Sequence, residues 1–347
     1  FAAAKATTQP FGGLWVDRWQ PGGVGCVALL VAAAGIAVTA IAHAPLVLLA
    51  GRVCWGVGEG LVTPALYSGL TLLCRRYGMS TSQWIGRLGS ASVCGFLVGP
   101  LVVGAAARAG LQTLFLIGAV ATALTGGAVL AAVRGQSDAG EASGDGDQPA
   151  ADQHRGAGLK WWHWVLLLGG LDMVTNLSYS ALEPTLPLYL VNANGAATRG
   201  EVSALFVIGL ATFGVSSWFA GKHAGRRTLF GMIRFGLLIG VAGLGGLAIS
   251  TRLVPVAAGF VLIMIGQSVL YLAARQGVAA RASATDGHAF GLFGLISDIG
   301  NITGPLVGVA LYEWTGRLVF PLLGIFSVAL LVTLAVRPRT AVVEQAE

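Results

Sequence analysis

Residues 171–190, LDMVTNLSYSALEPTLPLYL, decide the fold of this chain. The stretch is apolar enough to lie in a membrane, yet it carries Asp172, Asn176, Ser180 and Glu183 at steps of four, four and three residues. On a helix that spacing draws one polar stripe down one face. A charged group at the centre of a bilayer costs about 2.5 to 3.5 kcal/mol even on the lenient insertion scale, so the stripe is expected to face protein or a wet cavity. Pro184 and Pro187 follow on the same helix, where they loosen the backbone at a point useful to a substrate or a moving gate.

Outward from this stretch the same character persists. Of 347 residues 55% are hydrophobic and 10% charged, and apolar runs long enough to span a bilayer recur along the whole length. The expected class is an all-α polytopic membrane protein. Residues 1–15 read as the end of a helix that meets a loop at 16–21, which places residue 1 about 20 Å above the loop, inside hydrocarbon. The sequence is therefore expected to lack the start of this helix and whatever precedes it. Further spans are expected at 22–42, 46–74, 85–107, 111–133, 161–191, 200–220, 228–250, 253–274, 289–312 and 318–336. Residues 134–159 are rich in Gly, Asp, Ala and Gln and read as a disordered linker. It separates an incomplete N-terminal bundle, 1–133, from a six-helix bundle at 160–337, with a short tail at 338–347. Restoring a complete first span and the lost half of the second would give six helices on each side.

Basic residues set the orientation. Alternate connections hold Arg18; Arg75, Arg76 and Arg87; Arg134, Arg155 and Lys160; Lys222, Arg226 and Arg227; Arg275 and Arg281; and Arg337 and Arg339. The opposite connections hold only Arg108, Arg199, Arg252 and Arg317. By the positive-inside rule the first set, with linker and C terminus, is cytoplasmic. The net charge of +6 is thus explained by topology, and no nucleic-acid partner is expected. Cys26, Cys54, Cys74 and Cys94 have no metal-like spacing and read as packing residues.

Two stretches repeat one pattern. Gly95-Phe-Leu-Val-Gly99-Pro100-Leu-Val-Val-Gly104 and Gly300-Asn-Ile-Thr-Gly304-Pro305-Leu-Val-Gly308 both read GxxxGP with a further glycine beyond. Glycines so spaced let another helix approach closely, and the proline bends the helix. Close packing and a part in transport both remain open for each stretch.

These features resemble the major facilitator superfamily of transporters over nearly the whole chain. Gly13-Leu-Trp-Val-Asp17-Arg18 is similar to that family's loop between its second and third helices, with Gln20 where a glycine is usual; the resemblance makes Gly13, Asp17 and Arg18 a cytoplasmic gate. Gly221-Lys-His-Ala-Gly225-Arg226-Arg227 looks like its degenerate second copy. Arg52-Val-Cys-Trp-Gly56-Val-Gly58 is similar to the fourth-helix motif, whose arginine is implicated in proton coupling, with Trp55 replacing a glutamine. The GxxxGP run resembles the antiporter signature. Asn176 to Pro187 looks like the seventh helix of the vesicular amine transporters and their bacterial drug-exporting relatives, where the matching Asn and Glu contribute to the amine site. Lys5-Ala-Thr-Thr-Gln9 resembles a second-helix run of that group, and Asp298 the acid with which its lysine pairs. Gln267 stands near where a tenth-helix acid is found.

Depth offers an independent check on the last pair. Lys5 precedes Asp17 by 12 residues, about 18 Å, while Asp298 lies about ten residues, or 15 Å, into its own span from the same side. A switch between access states and a static neutral pair both fit. Arg52 and Glu59 are seven residues apart, sharing a face without the spacing for a comfortable pair, so each wants a partner elsewhere. Carboxylates among apolar groups accept protons more readily than those in water, which makes Glu59, Asp172 and Glu183 candidate proton or substrate sites with Arg52 tuning a neighbour. Asp172 also reads as a hydrogen-bonded acid near the Trp161 to Trp164 belt. Arg234 is expected to snorkel to the headgroups.

The expected function is proton-coupled export of a small drug-like compound, cationic or lipophilic, by a monomer in a bacterial inner membrane that alternates access between two bundles. Lys5 and Arg52 equally admit an anion. A proton-driven importer and a non-transporting sensor or scaffold are the competing readings. No nucleophile with a base, phosphate loop or metal cluster is present in the sequence, so neither an enzyme nor a cofactor is expected.

Overall fold

The computed structural model describes residues 1–105, 110–142, 161–192, 198–249, 252–281 and 286–336. Within them the chain forms eleven α-helices: α1 (Ala2–Trp19), α2 (Pro21–Ala40), α3 (Pro45–Arg76), α4 (Thr81–Ala105), α5 (Gly110–Ala142), α6 (Trp161–Asn192), α7 (Arg199–His223), α8 (Leu229–Ile249), α9 (Leu253–Ala279), α10 (Asp286–Thr315) and α11 (Val319–Val336). Eight stretches are long and apolar enough to cross a membrane, the last of them containing both α10 and α11. The chain is an all-α polytopic membrane protein.

Only helices satisfy every backbone group inside lipid without help from neighbours, and several polar side chains within these helices bond back to their own backbone. Thr39 donates to the Gly35 carbonyl at 2.8 Å, Thr71 to that of Tyr67 at 2.8 Å, and Thr185 to that of Ala181 at 2.6 Å. Helix starts follow local chemistry. Pro21 and Pro45 open α2 and α3, where a missing N–H costs nothing. Thr198 and Glu201 form a reciprocal capping box at the start of α7.

Three boundaries differ from the sequence reading. α1 continues through Trp19, so Asp17 and Arg18 stand in its last turn and not in a loop at 16–21. α9 runs past 274 to Ala279, because Val278 and Ala279 are buried and extend its apolar face beyond Arg275. α5 runs on through residues 134–142, since adding a residue to an existing helix is far easier than starting one. The rest of the expected linker, 143–159, and the tail at 338–347 lie outside the described residues.

The chain divides into two compact units, each drawing segments from both sides of the 134–159 stretch. The first comprises Phe1–Met79, Leu101–Gly169 and Val278–Asp298; the second Ser80–Pro100, Gly170–Gly277 and Ile299–Glu347. In the first, α2 and α3 pack so closely that a methyl on Gly58 would strike the backbone of Ala32. In the second, Leu182, Leu186 and Leu190 of α6 join Leu247 of α8, Phe260 and Met264 of α9 and Phe320 of α11 in one buried cluster.

Gln20 joins α1 to α2 with φ 71° and ψ 144°, and it is the one non-glycine residue with positive φ among those described. Side chains rarely adopt this conformation, which costs on the order of 1–3 kcal/mol. The usual glycine at this position therefore has a backbone reason. Replacing Gln20 with glycine is expected to stabilise the protein by about 1 kcal/mol, after allowing for glycine's looser unfolded chain. Thermal unfolding of the purified Gln20→Gly variant measures this, and an unchanged or lower midpoint contradicts it.

Candidate functional site

The polar stripe on α6 begins at its most buried member. Asp172 is 1% exposed and is gripped end-on by Arg275 of α9, with Nη1 to Oδ1 at 3.1 Å and Nη2 to Oδ2 at 3.3 Å. This fork-to-fork pairing is the strongest form of a carboxylate–guanidinium contact. The guanidinium also lies 3.9 Å from the centre of the Tyr271 ring, one turn back on α9. Asn176, one turn along α6, donates its Nδ2 to Asp172 Oδ2 at 3.1 Å and accepts at Oδ1 from Gln267 Nε2 at 3.1 Å. A donor-only guanidinium facing an acceptor-only carboxylate leaves the amide one orientation, so Arg275 sets the direction of the whole chain of bonds.

Farther along α6 the pairing changes. Ser180 donates to Asn301 Oδ1 of α10 at 3.0 Å. Glu183 is exposed and receives a hydrogen bond from the Tyr179 hydroxyl of its own helix. Among the described residues, then, the stripe passes from an acid matched by a cation to one held only by a phenol.

In the other unit α1 and the first half of α10 share a second polar cluster. Lys5 Nζ lies 3.3 Å from Asp298 Oδ2, with side-chain exposures of 25% and 9%. Gln9, one turn along α1, donates Nε2 to the same oxygen at 2.7 Å and is itself buried. Asp298 thus has both a cation and an amide. Gln9 fits because α10 presents glycine there: any side chain at Gly294 would collide with Gln9 Oε1. At the end of α1, Asp17 accepts from the backbone amides of Gly287 at 2.8 Å and His288 at 2.9 Å, capping the N-terminus of α10. The carboxylate meets the positive end of that helix's dipole. Gly13 is where α1 and α10 come closest; a methyl on it would strike the Gly287 carbonyl. Arg18 is exposed beside this contact.

Arg52 and Glu59, each expected to find a partner on another helix or in water, both lie on α3. The Arg52 guanidinium is exposed and lies 5.3 Å from the ring of Trp55 on its own helix. Glu59 is half-buried on the same helix, its backbone carbonyl accepting from Thr63.

The two GxxxGP stretches also differ. Gly300, Gly304 and Gly308 are buried against α6, where added methyls would strike the backbone of Met173, Leu177 and Ala181. This stripe brings α10 onto the face of α6 beside its polar residues, while Pro305 stands within α10. Gly95 is exposed, and a methyl on it would meet no described residue within 4 Å. Gly99, Pro100 and Gly104 continue α4, but their surroundings lie outside the described residues.

Arg275 is the residue the sequence reading missed. It was assigned to a connection because a charge usually ends a span, whereas it stands inside α9 with Asp172 as its counter-charge. The signal was the apolar pair Val278-Ala279 beyond it. Gln9 and Asn301 were missed as well, since amides carry no charge to attract notice.

The Major Facilitator Superfamily model matches residues 1–285. No curated protein sequence matches the chain. Among solved structures, the human organic anion transporter MFSD10 (TETRAN) superposes with TM-score 0.76 at 19% identity, covering 96% of this chain and 82% of that one. The proton:xylose symporter XylE, bound to 6-bromo-6-deoxy-D-glucose, gives TM-score 0.70 at 10% identity, covering 96% and 83%. The transporter FucP in its outward conformation gives 0.66 at 13%, covering 97% and 90%. At these identities the likeness is one of fold.

The α6–α9 ion pair generates a stability prediction. Removing one partner of a buried pair leaves an unanswered charge and costs about 3 kcal/mol or more, whereas replacing both with apolar groups is near neutral. Arg275→Met and Asp172→Leu are each expected to lower the thermal midpoint, and the double variant to recover most of the loss. A double variant as unstable as the sum of the singles would show that the pair is not the unit.

Proposed function

The chain belongs to the major facilitator superfamily, and from that premise we propose that this transporter of small solutes is a proton-coupled exporter of a small organic compound, with Glu183 as the group that exchanges a proton for cargo. The observation that carries the reading is the difference among the acids within its helices. Asp172 is matched by Arg275 and Asp298 by Lys5, whereas Glu183 is exposed on α6 and, among the described residues, meets only the Tyr179 hydroxyl; Glu59, also outside any ion pair among them, is half-buried on α3. A proton carrier must be reachable and must change charge without breaking the fold, and a carboxylate outside any ion pair meets both conditions.

In this reading Asn176 and Glu183 line the path of the substrate, with Arg52 and Glu59 as further candidates on α3. Drug:proton antiport and kinship with the vesicular amine branch belong to the same proposal, resting on the Asn176 to Pro187 run and the GxxxGP stretches. So do a monomeric state, a bacterial inner membrane, cytoplasmic linker and C terminus, and two six-helix halves that rock about a central site. The Asp17 cap on α10 and the Lys5–Asp298 pair would hold the cytoplasmic side shut, and parting them would open it. Glu183 favours a cationic cargo. An anionic cargo would engage Lys5 or Arg52 instead, the class named for the structural neighbour MFSD10.

Transport in everted and right-side-out vesicles, with an imposed pH gradient and a panel of organic cations and anions, tests this. Accumulation in everted vesicles driven by an acidic interior is expected, with Glu183→Gln, which stands in for the protonated acid, abolishing the response to the gradient and weakening binding of a cationic cargo. Wild-type accumulation only in the opposite sense would make the protein an importer; a fully gradient-driven Glu183→Gln would place the proton elsewhere.

The gate has its own measurement. Exchanging the charges in Lys5→Asp with Asp298→Lys is expected to restore at least part of the transport lost in either single variant. Wild-type rates in Lys5→Ala and Asp298→Ala would remove the pair from the mechanism.

A further inference from the structure

Where α7 turns through the short 3-10 helix Ala224–Arg226 into α8, the second unit has a crevice of about 310 Å³ between α7, α8 and α9. Its walls are apolar, formed by Phe219, Met232, Phe235, Ile265 and Val269, and its rim is basic, formed by His223 and Arg227. Phe219 is 57% and Phe235 39% exposed, so the crevice opens outward along aromatic surface. Its three helices are all candidate spans, which puts the walls at hydrocarbon depth and the rim at the water end.

Charge is one-sided here. From Val202 to Thr285 the sequence contains no Asp or Glu, while Lys222, His223, Arg226 and Arg227 fall within six residues of sequence, with His223 and Arg227 at the rim. The three walls therefore bring no carboxylate of their own. The Arg227 guanidinium lies 5.3 Å from the centre of the Phe235 ring, which holds it over the mouth of the crevice with N–H groups at its edge. His223 is turned by the bond between its Nδ1 and the Phe219 carbonyl at 2.9 Å; a carbonyl only accepts, so Nδ1 donates there, and Nε2 donates to an anion as the second N–H of the imidazolium.

We propose that this crevice is a binding site for one anionic glycerophospholipid, its phosphodiester against Arg227 and His223 and an acyl chain along Phe219, Phe235 and Ile265. A soluble anion would use the rim alone and make nothing of the apolar walls. A zwitterionic lipid would fill the walls but set its own cation among the basic groups. Only an anionic amphiphile answers both halves of the crevice. The site shares no residue with the Glu183 and Asp172 contacts or with the α1–α10 contact, and it is independent of which solute is carried.

Native mass spectrometry of the purified full chain, incubated with phosphatidylglycerol or with phosphatidylcholine of the same acyl chains, tests the assignment. One phosphatidylglycerol is expected to be retained at least about five-fold better than phosphatidylcholine, the difference one basic group makes at a membrane surface. Arg227→Gln is expected to remove that preference, and Ala220→Phe, which fills the crevice without touching charge, to reduce retention of both lipids. Arg252→Gln, at the far end of α8, serves as the unaffected control. Equal retention of the two lipids, an unchanged preference in Arg227→Gln, or displacement of the lipid by inorganic phosphate alone would overturn the proposal. Thermal unfolding of each variant separates loss of the site from loss of the fold.

Discussion

A carboxylate carried into hydrocarbon must be answered by another part of the protein, and this requirement organises the polar interior of the chain. Asp172 is answered by Arg275 and Asn176, and Asp298 by Lys5 and Gln9. Each answer comes wholly or partly from another helix. An acid that recruits its cation across a helix contact also fixes how the two helices are rotated and how far one slides along the other, because a bidentate pair tolerates little displacement. Among the described residues Glu183 recruits a tyrosine of its own helix and no partner from another, so there it specifies no helix contact.

Helix ends are treated by the same logic in the first unit. Arg75 of α3 donates Nη2 to the Ala279 carbonyl at 2.7 Å, at the C-terminal end of α9, while Asp17 of α1 accepts from the first amides of α10. A cation meets the negative end of one helix and an anion the positive end of the next. Arg281, just beyond α9, lies 3.9 Å from the centre of the Trp164 ring, and Trp161 packs edge-on against His288 at 5.5 Å. The two ends of the α9–α10 connection are thereby held to α1, α3 and α6 by partners that cost little to part, since most lie at exposed or half-exposed positions.

Much of this was legible in the sequence because it depends on spacing. Counting residues placed Lys5 and Asp298 at similar depths, and the structure has them in contact. Helix periodicity put Asp172, Asn176 and Glu183 on one face, and glycine spacing marked the side of α10 that meets α6. Arg275 escaped because hydropathy treats any arginine as the end of a span, whereas a paired arginine behaves as a nearly neutral polar group. Its counter-charge lies 103 residues away in sequence, beyond the reach of local patterns. Which acid keeps an ion pair and which does not is likewise a tertiary property. Gln20 is a different case: the sequence marks it as standing where the resembled motif has glycine, and its positive φ supplies the physical reason.

The graded pairing along α6 bears on how a transporter can change charge and stay folded. Asp172 and Glu183 are eleven residues apart on one face, about 16 Å along the helix. Two unit charges at that distance in a medium of effective dielectric about 20 interact by about 1 kcal/mol. The Asp172–Arg275 pair is neutral as a whole, so its coupling to a charge at Glu183 is smaller still. Under the proposed function, a proton taken up at Glu183 would leave the anchored end in place, and α6 would keep its contacts with α9 and α10 while the charge at its loose end changed. Had Glu183 been paired across helices as Asp172 is, the same proton would have to break a helix contact before it could affect a solute.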